Sequence, residues 1–344
     1  MVTQGLINMP QLKEFDFNLP QELVAQYLIA QRDAARLMVI DRSTGTIRHD
    51  VFSNLGKYLS PQSLLVLNDS KVVPARLLGQ RVTGGKVEIF LLRKLSDGVS
   101  FEALIKPLGR LKPNERIHFN GSGVYAELID PVKRIVRFNK KNLGSYFNRI
   151  GHMPLPPYIK RPDESSDRTM YQTVYAKHSG SVAAPTAGLH FTQTLLRRLK
   201  EFGHDFAPVT LHVNYATFKP VAEEDVTKHR MHFEEYSVSP GNLRKILTAR
   251  LKGRKIVAVG TTSCRVLETI GEAGAARGET NIFMYPGYQF KRADALVTNF
   301  HLPFSTLLML VYAFGGMELM KRAYSEAIAN KYRFYSYGDA MLIL

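Results

Sequence analysis

The stretches Val87-Glu88-Ile89-Phe90-Leu91-Leu92-Arg93 and Ser100-Phe101-Glu102-Ala103-Leu104-Ile105-Lys106 stand between the turn signals Thr83-Gly84-Gly85, Ser96-Asp97-Gly98 and Lys112-Pro113-Asn114. Three shorter runs follow, RIHFN, VYAELI and RIVRFN, again broken by Asn120-Gly121-Ser122-Gly123 and Ile129-Asp130-Pro131. β-Branched and aromatic residues in short runs at this spacing predict a small β-barrel or sandwich over residues 73–151.

On either side the texture differs. Residues 36–41 (RLMVID), 63–67 (SLLVL), 208–213, 255–259 (KIVAV) and 295–298 (ALVT) read as strands. Helices are expected over 21–29, 51–59, 192–202, 242–252, 263–270, 306–313 and 317–331, with Gly203 and Gly253 as stops. Arg333-Phe334-Tyr335 is expected to begin the final strand. Alternation of this kind predicts an α/β fold. The organisation expected is a discontinuous large mixed α/β domain, residues 1–72 and 152–344, with a small β-rich domain inserted at 73–151.

The chain has 344 residues, of which 45% are hydrophobic and 22% charged, a globular balance that excludes disordered, collagen-like and membrane-spanning classes. Its most apolar run, 304–314, is too short for a bilayer and holds Ser305 and Thr306. Met1-Val2-Thr3-Gln4-Gly5 lacks the basic-then-apolar order of a signal peptide, and a cytoplasmic protein is expected. One cysteine, Cys264, leaves no intrachain disulfide and no all-cysteine metal site. The net charge is +16, and residues 73–151 carry +9 of it, with 15 Lys or Arg against 6 Asp or Glu. A basic β-rich module suits a polyanion, with nucleic acid ahead of an anionic membrane.

Several strands end in compact polar clusters. SLLVL runs into Asn68-Asp69-Ser70, KIVAV into Gly260-Thr261-Thr262-Ser263, and ALVT into Asn299-Phe300-His301. Ligands of open α/β sheets bind outside the carboxyl ends of strands, so these clusters are expected to converge on one site. The free N–H groups of Thr261, Thr262 and Ser263 would suit a carboxylate or phosphate. Ala184-Pro185-Thr186-Ala187-Gly188-Leu189-His190 allows close backbone approach at Gly188, and His190 is a candidate acid or base. The Tyr285-Pro286-Gly287-Tyr288 turn offers aromatic faces for a base or a sulfonium. No metal is expected, because His229 and His232 lie at i,i+3 and fit no ligand pattern. Residues 79–86 only superficially imitate a P-loop, and no dinucleotide-binding glycine motif follows any strand.

Seven runs together resemble the S-adenosylmethionine:tRNA ribosyltransferase-isomerase family of queuosine biosynthesis. They are LNDSKVVPARL (67–77), GHMPLPPYI (151–159), AAPTAGLHF (183–191), TLHV (210–213), VGTTS (259–263), TNFHLP (298–303) and YSYGDAM (335–341). The resemblance implies a large mixed α/β domain with an inserted antiparallel β-barrel. It also implies the reaction. The ribosyl part of S-adenosylmethionine passes to 7-aminomethyl-7-deazaguanine (preQ1) in a tRNA anticodon and isomerises, giving epoxyqueuosine, adenine and methionine. S-Adenosylmethionine is then a co-substrate, no cofactor is permanently bound, and the +16 charge meets tRNA. A monomer is expected.

Under that resemblance the acid–base candidates are His190, His301 and Asp69. Substrate-binding candidates are Asn68, Arg76 (for a tRNA phosphate), Thr186, Gly188, Thr261, Thr262, Ser263, Tyr285, Tyr288 and Asn299. After Leu211-His212-Val213 the family usually carries a glycine-rich run. Here Asn214-Tyr215 stands in its place, with Tyr215 filling space that glycine leaves open. The competing readings are a tRNA methyltransferase using the same co-substrate and a non-catalytic tRNA-binding protein.

Overall fold

The computed structural model describes residues 10–119, 123–213, 220–271 and 274–344. Asn214 and Tyr215 lie outside the described residues. The chain opens with β1 (Arg36–Asp41), β2 (Thr46–Val51), β3 (Leu64–Asn68) and β4 (Ser70–Val72). Then come β5 (Arg76–Arg81), β6 (Lys86–Lys94), β7 (Ser100–Lys106), β8 (Arg116–His118), β9 (Tyr125–Asp130) and β10 (Ile135–Phe138). Two short helices, α1 (Gly144–Ile150) and α2 (Asp167–Met170), lead to β11 (His178–Ser181), α3 (Gln193–Glu201) and β12 (Asp205–Leu211). Next are β13 (Glu234–Ser237), α4 (Pro240–Thr248), β14 (Ile256–Val259), α5 (Thr261–Ile270) and β15 (Arg277–Thr280). The last elements are β16 (Ala295–Asn299), α6 (Thr306–Gly315), α7 (Met317–Ala329) and β17 (Ala340–Ile343).

Strands β5 to β10 close into an antiparallel six-stranded barrel in the order β10-β7-β6-β5-β8-β9. Leu77, Ile89, Ala103, Ile117, Leu128 and Val136 fill its core. Closure satisfies every strand edge, which a short-stranded sandwich of this length would leave open.

The other sheet has nine strands in the order β15-β13-β12-β3-β14-β16-β17-β1-β2. Its centre, β12, β3, β14 and β16, is parallel. β3, β14 and β16 are buried along their whole length. That is what a strand covered on both faces demands, and it explains their unbroken apolar runs. In β3, Leu64 and Val66 face one core while Leu65 and Leu67 face the other, as the two-residue period of a strand requires. β17 runs antiparallel to β16, so Ala340 sits beside Asn299.

Two local expectations fail, and the helix expected over 51–59 forms in a tighter type. Residues 21–29 form only a 3-10 turn, Gln21–Leu23, because Val24 bridges Phe334 and Ala25 N–H donates to the Phe334 carbonyl at 3.3 Å. Residues 52–57 are also 3-10 helix. Arg333-Phe334-Tyr335 is a tight loop with Tyr335 at φ +71°, and the final strand starts five residues later. Asp339 sets that loop by accepting the Arg36 and Arg333 N–H groups at 3.0 and 2.8 Å.

Candidate active site

The parallel strands β14 and β16 end side by side, and a pocket of about 660 Å³, counted to its open mouth, lies beyond them. Thr261 and Thr262 supply one wall from the first turn of α5. Thr298, Asn299 and His301 supply another from the end of β16. Thr186 comes from the turn before α3, and Tyr158, Tyr335 and Ser336 close the opposite side. Much of the remaining surface is apolar, from Ala183, Ala184, Val213 and Leu302.

The polar groups are fixed from behind. Asn299 Nδ2 donates to His190 Nε2 at 3.1 Å and to the Tyr335 carbonyl at 3.2 Å. Asn299 Oδ1 is left without a partner, as is Thr262 Oγ1. Both residues line the pocket, so a ligand there can supply the missing partner, whereas other unpartnered buried atoms, such as the Tyr175 hydroxyl, belong to residues outside the lining. The first turn of α5 adds N–H groups that no intrahelical carbonyl can satisfy, with the positive end of its dipole. Tyr158 and Tyr335 pack with ring centroids 4.7 Å apart, and the Tyr158 hydroxyl bonds the Ser336 hydroxyl.

The two histidines differ. His301 lines the pocket, with Nε2 2.7 Å from the Thr298 hydroxyl. Burial pushes its pKa down to about 3, so it is neutral. His190 lies one layer below, fully buried against Phe52 and outside the lining. Burial first, then the Arg333 and Arg32 charges, push it to about 3 as well. Because Nε2 accepts from Asn299, the proton of its neutral ring sits on Nδ1.

Of the sequence-derived candidates, Thr186, Thr261, Thr262, Asn299 and His301 meet at this pocket. The rest lie elsewhere. Asn68 ties β3 to β12, accepting from Leu211 N–H and donating to its carbonyl. Asp69 accepts the Thr210 hydroxyl at 2.6 Å and faces His178 at 3.7 Å, outside the lining. Arg76 pairs with Glu88 at the start of the barrel, its Nε donating at 2.7 Å. Gly188 is buried, and an added Cβ would stand 2.1 Å from the Tyr175 hydroxyl. Its smallness therefore serves packing. Ser263 is fully buried behind the helix terminus. Tyr288 reaches Glu268 near the far end of α5, and Tyr285 packs on Phe283. His229 bonds Glu223, and no group of three potential metal ligands exists among the described residues.

Sequence reasoning passed over Tyr158, Thr298, Ser305, Tyr335 and Ser336, which all line the pocket. Four of them lie inside the runs quoted above. Only topology reveals that β17, reversed against β16, brings residues 335–336 back to residue 299.

The sequence profile of the family described as Queuosine biosynthesis protein matches residues 12–343. The chain belongs to that family. It is 49% identical over 337 residues to the S-adenosylmethionine:tRNA ribosyltransferase-isomerase of Sulfurihydrogenibium sp., covering 97% of this chain and all of the relative. The enzyme of that name from Caldanaerobacter subterraneus subsp. tengcongensis is 50% identical over 340 residues, covering 96% and 99%. The crystal structure of S-adenosylmethionine tRNA ribosyltransferase from Thermotoga maritima superposes with a TM-score of 0.56 at 37% identity, covering 96% of this chain and all of that one. In this member of the queuosine biosynthesis family, six of the seven runs quoted above contribute to the pocket wall. The exception is the 67–77 run, which instead joins β3 to the barrel.

Proposed function

We propose that the protein is an S-adenosylmethionine:tRNA ribosyltransferase-isomerase acting on tRNA that carries 7-aminomethyl-7-deazaguanine. The observation that carries this reading is the meeting of six family runs around one pocket with unpartnered Asn299 Oδ1 and Thr262 Oγ1.

S-Adenosylmethionine offers a carboxylate, a sulfonium and an adenine. The amino end of α5, with the Thr261 and Thr262 N–H groups, suits the carboxylate. The Tyr158–Tyr335 pair suits the sulfonium, whose positive charge is drawn to aromatic faces. The sulfonium acidifies the adjacent ribose C5′ hydrogens. His301, neutral across the physiological range, is always in its accepting form and takes one of them. A base held at about 3 is weak, so the acidity of the substrate supplies the drive. Loss of adenine, attack by the uncharged aminomethyl group and epoxide closure with loss of methionine then follow. The apolar walls exclude water from the intermediates. His190 supports the site by holding the Asn299 amide, and no proton transfer is assigned to it or to Asp69.

Residues 73–151 are the proposed RNA-contacting domain, with 1–72 and 152–344 as the catalytic one. The protein is proposed to act as a cytoplasmic monomer. Among the described residues no helix is long and apolar enough to cross a membrane.

The test is incubation with S-adenosylmethionine and tRNA bearing the aminomethyl base, followed by mass spectrometry of nucleosides and small molecules. Epoxyqueuosine with equimolar adenine and methionine is the expected result. S-Adenosylhomocysteine would identify a methyltransferase instead. Bound tRNA with no turnover would leave only a binding protein.

A further inference from the structure

A second groove lies between the barrel and the short two-stranded sheet of β4 and β11. It measures about 1,360 Å³ counted to its mouth. Lys94 and Phe101 form its barrel side, Lys140 and Phe147 the segment leaving the barrel, and Gly180 and Val182 its far wall. Three basic side chains line it and no Asp or Glu does. Arg93 is committed to Glu102. Lys94 and Lys140 are exposed and make no ion pair among the described residues. Outside the lining, Lys71 of β4 pairs in register with Ser179 of β11, and both Lys71 and Lys177 are exposed.

The groove and the pocket share one wall. Val182 lines the groove, and the next two residues, Ala183 and Ala184, line the pocket. The chain therefore passes directly from the lining of the groove into the lining of the pocket. Its cations sit around an apolar floor that includes the half-buried Phe101 and Phe147 rings. That combination fits a nucleic-acid strand, with phosphates on the lysines and bases on the apolar surface.

We propose that this groove seats the RNA strand that carries the modified base, with Lys94 and Lys140 on its phosphates. The proposal rests on the reading of the protein as a tRNA-modifying enzyme and places the substrate's backbone on it. Charge on the barrel alone does not select this surface, because Lys86 and Lys133 are also exposed, outside the groove.

The experiment compares two double variants of the full chain, each changing the charge equally: Lys94→Glu with Lys140→Glu, and Lys86→Glu with Lys133→Glu. Binding of tRNA is measured by fluorescence anisotropy from low to high salt, and S-adenosylmethionine binding by calorimetry. Loss of each phosphate contact should lower the slope of log affinity against log salt by about one. The groove pair should lose roughly ten- to a hundred-fold in tRNA affinity at low salt, with its salt slope reduced by about two. The second pair should lose less than three-fold, and both should bind S-adenosylmethionine like the parent. Equal losses from both pairs, or no loss from the groove pair, would overturn the proposal. Unchanged tRNA binding with weakened binding to phosphatidylserine vesicles would overturn it in favour of a membrane surface. Failure of the functional reading shows separately, as a parent protein that binds tRNA and forms no epoxyqueuosine. If the glutamate variants unfold early, Lys94→Ala with Lys140→Ala provides the same slope measurement.

Discussion

At the scale of single residues, two buried histidines make the molecule sensitive to acid. His190 and His301 fold with pKa values near 3, against about 6.5 for an unfolded chain. Below pH 6.5 the unfolded chain takes up protons that the folded one refuses. Their contribution to stability is therefore complete above pH 6.5 and falls as pH drops towards 3, at up to about 1.4 kcal/mol per pH unit for each. In urea unfolding at pH 7 and pH 5, the stability gap between the parent and His190→Gln should narrow in acid. A constant gap would mean His190 titrates normally. For the same reason the rate profile should show no histidine limb near 6.5, and a limb there would point to a different base from His301. A third residue, Gly188, tests packing. Its alanine variant places Cβ against the Tyr175 hydroxyl, which is buried and unpaired. The expected cost is about 1–3 kcal/mol of overpacking. Tyr175→Phe should be nearly neutral alone and should recover part of that loss in the double variant, as read by thermal unfolding.

At the scale of elements, legibility followed locality. α3 was readable because Thr192 caps it, accepting from Leu195 N–H at 3.0 Å, and Gly203 stops it at φ +86°. β3, β14 and β16 were readable because burial on both faces leaves only apolar residues. The 21–29 segment was not, since a bridge to Phe334, distant in sequence, overrules its helical pattern. The same reason hid half of the site. Tyr158 and Tyr335 reach the pocket through long-range pairing, which leaves no local period in the sequence. Helix α6 shows how one element serves both fold and site. Ser305 caps it, its Oγ accepting from Leu308 N–H at 3.1 Å, and also donates to the Leu302 carbonyl at 2.7 Å while lining the pocket. Ser305→Ala should cost about 1 kcal/mol as a lost cap. It should also weaken S-adenosylmethionine binding in calorimetry, because the 301–305 turn loses its tie. Stability loss with unchanged binding would separate the cap from the pocket.

At the scale of the whole molecule, the barrel and the large sheet have separate cores, so what matters is how they are joined. The chain enters the barrel at Arg76 and leaves it at Gly151, and the two crossings are laced together. His152 N–H donates to the Arg76 carbonyl at 2.8 Å and Arg76 N–H to the His152 carbonyl at 3.3 Å. Gly151 sits in this crossing with no room for a side chain, since an added Cβ would be 2.2 Å from the Pro74 carbonyl oxygen and 2.5 Å from that of Phe147. Both contacts are backbone, so neither can swing away. Gly151→Ala must therefore shift the crossing itself, and with it the groove that Pro74 and Phe147 line. The pocket at the strand ends includes neither residue. The variant should keep its affinity for S-adenosylmethionine while KM for tRNA rises several-fold and kcat changes less. A loss confined to S-adenosylmethionine binding would show that the crossing positions the pocket and not the RNA.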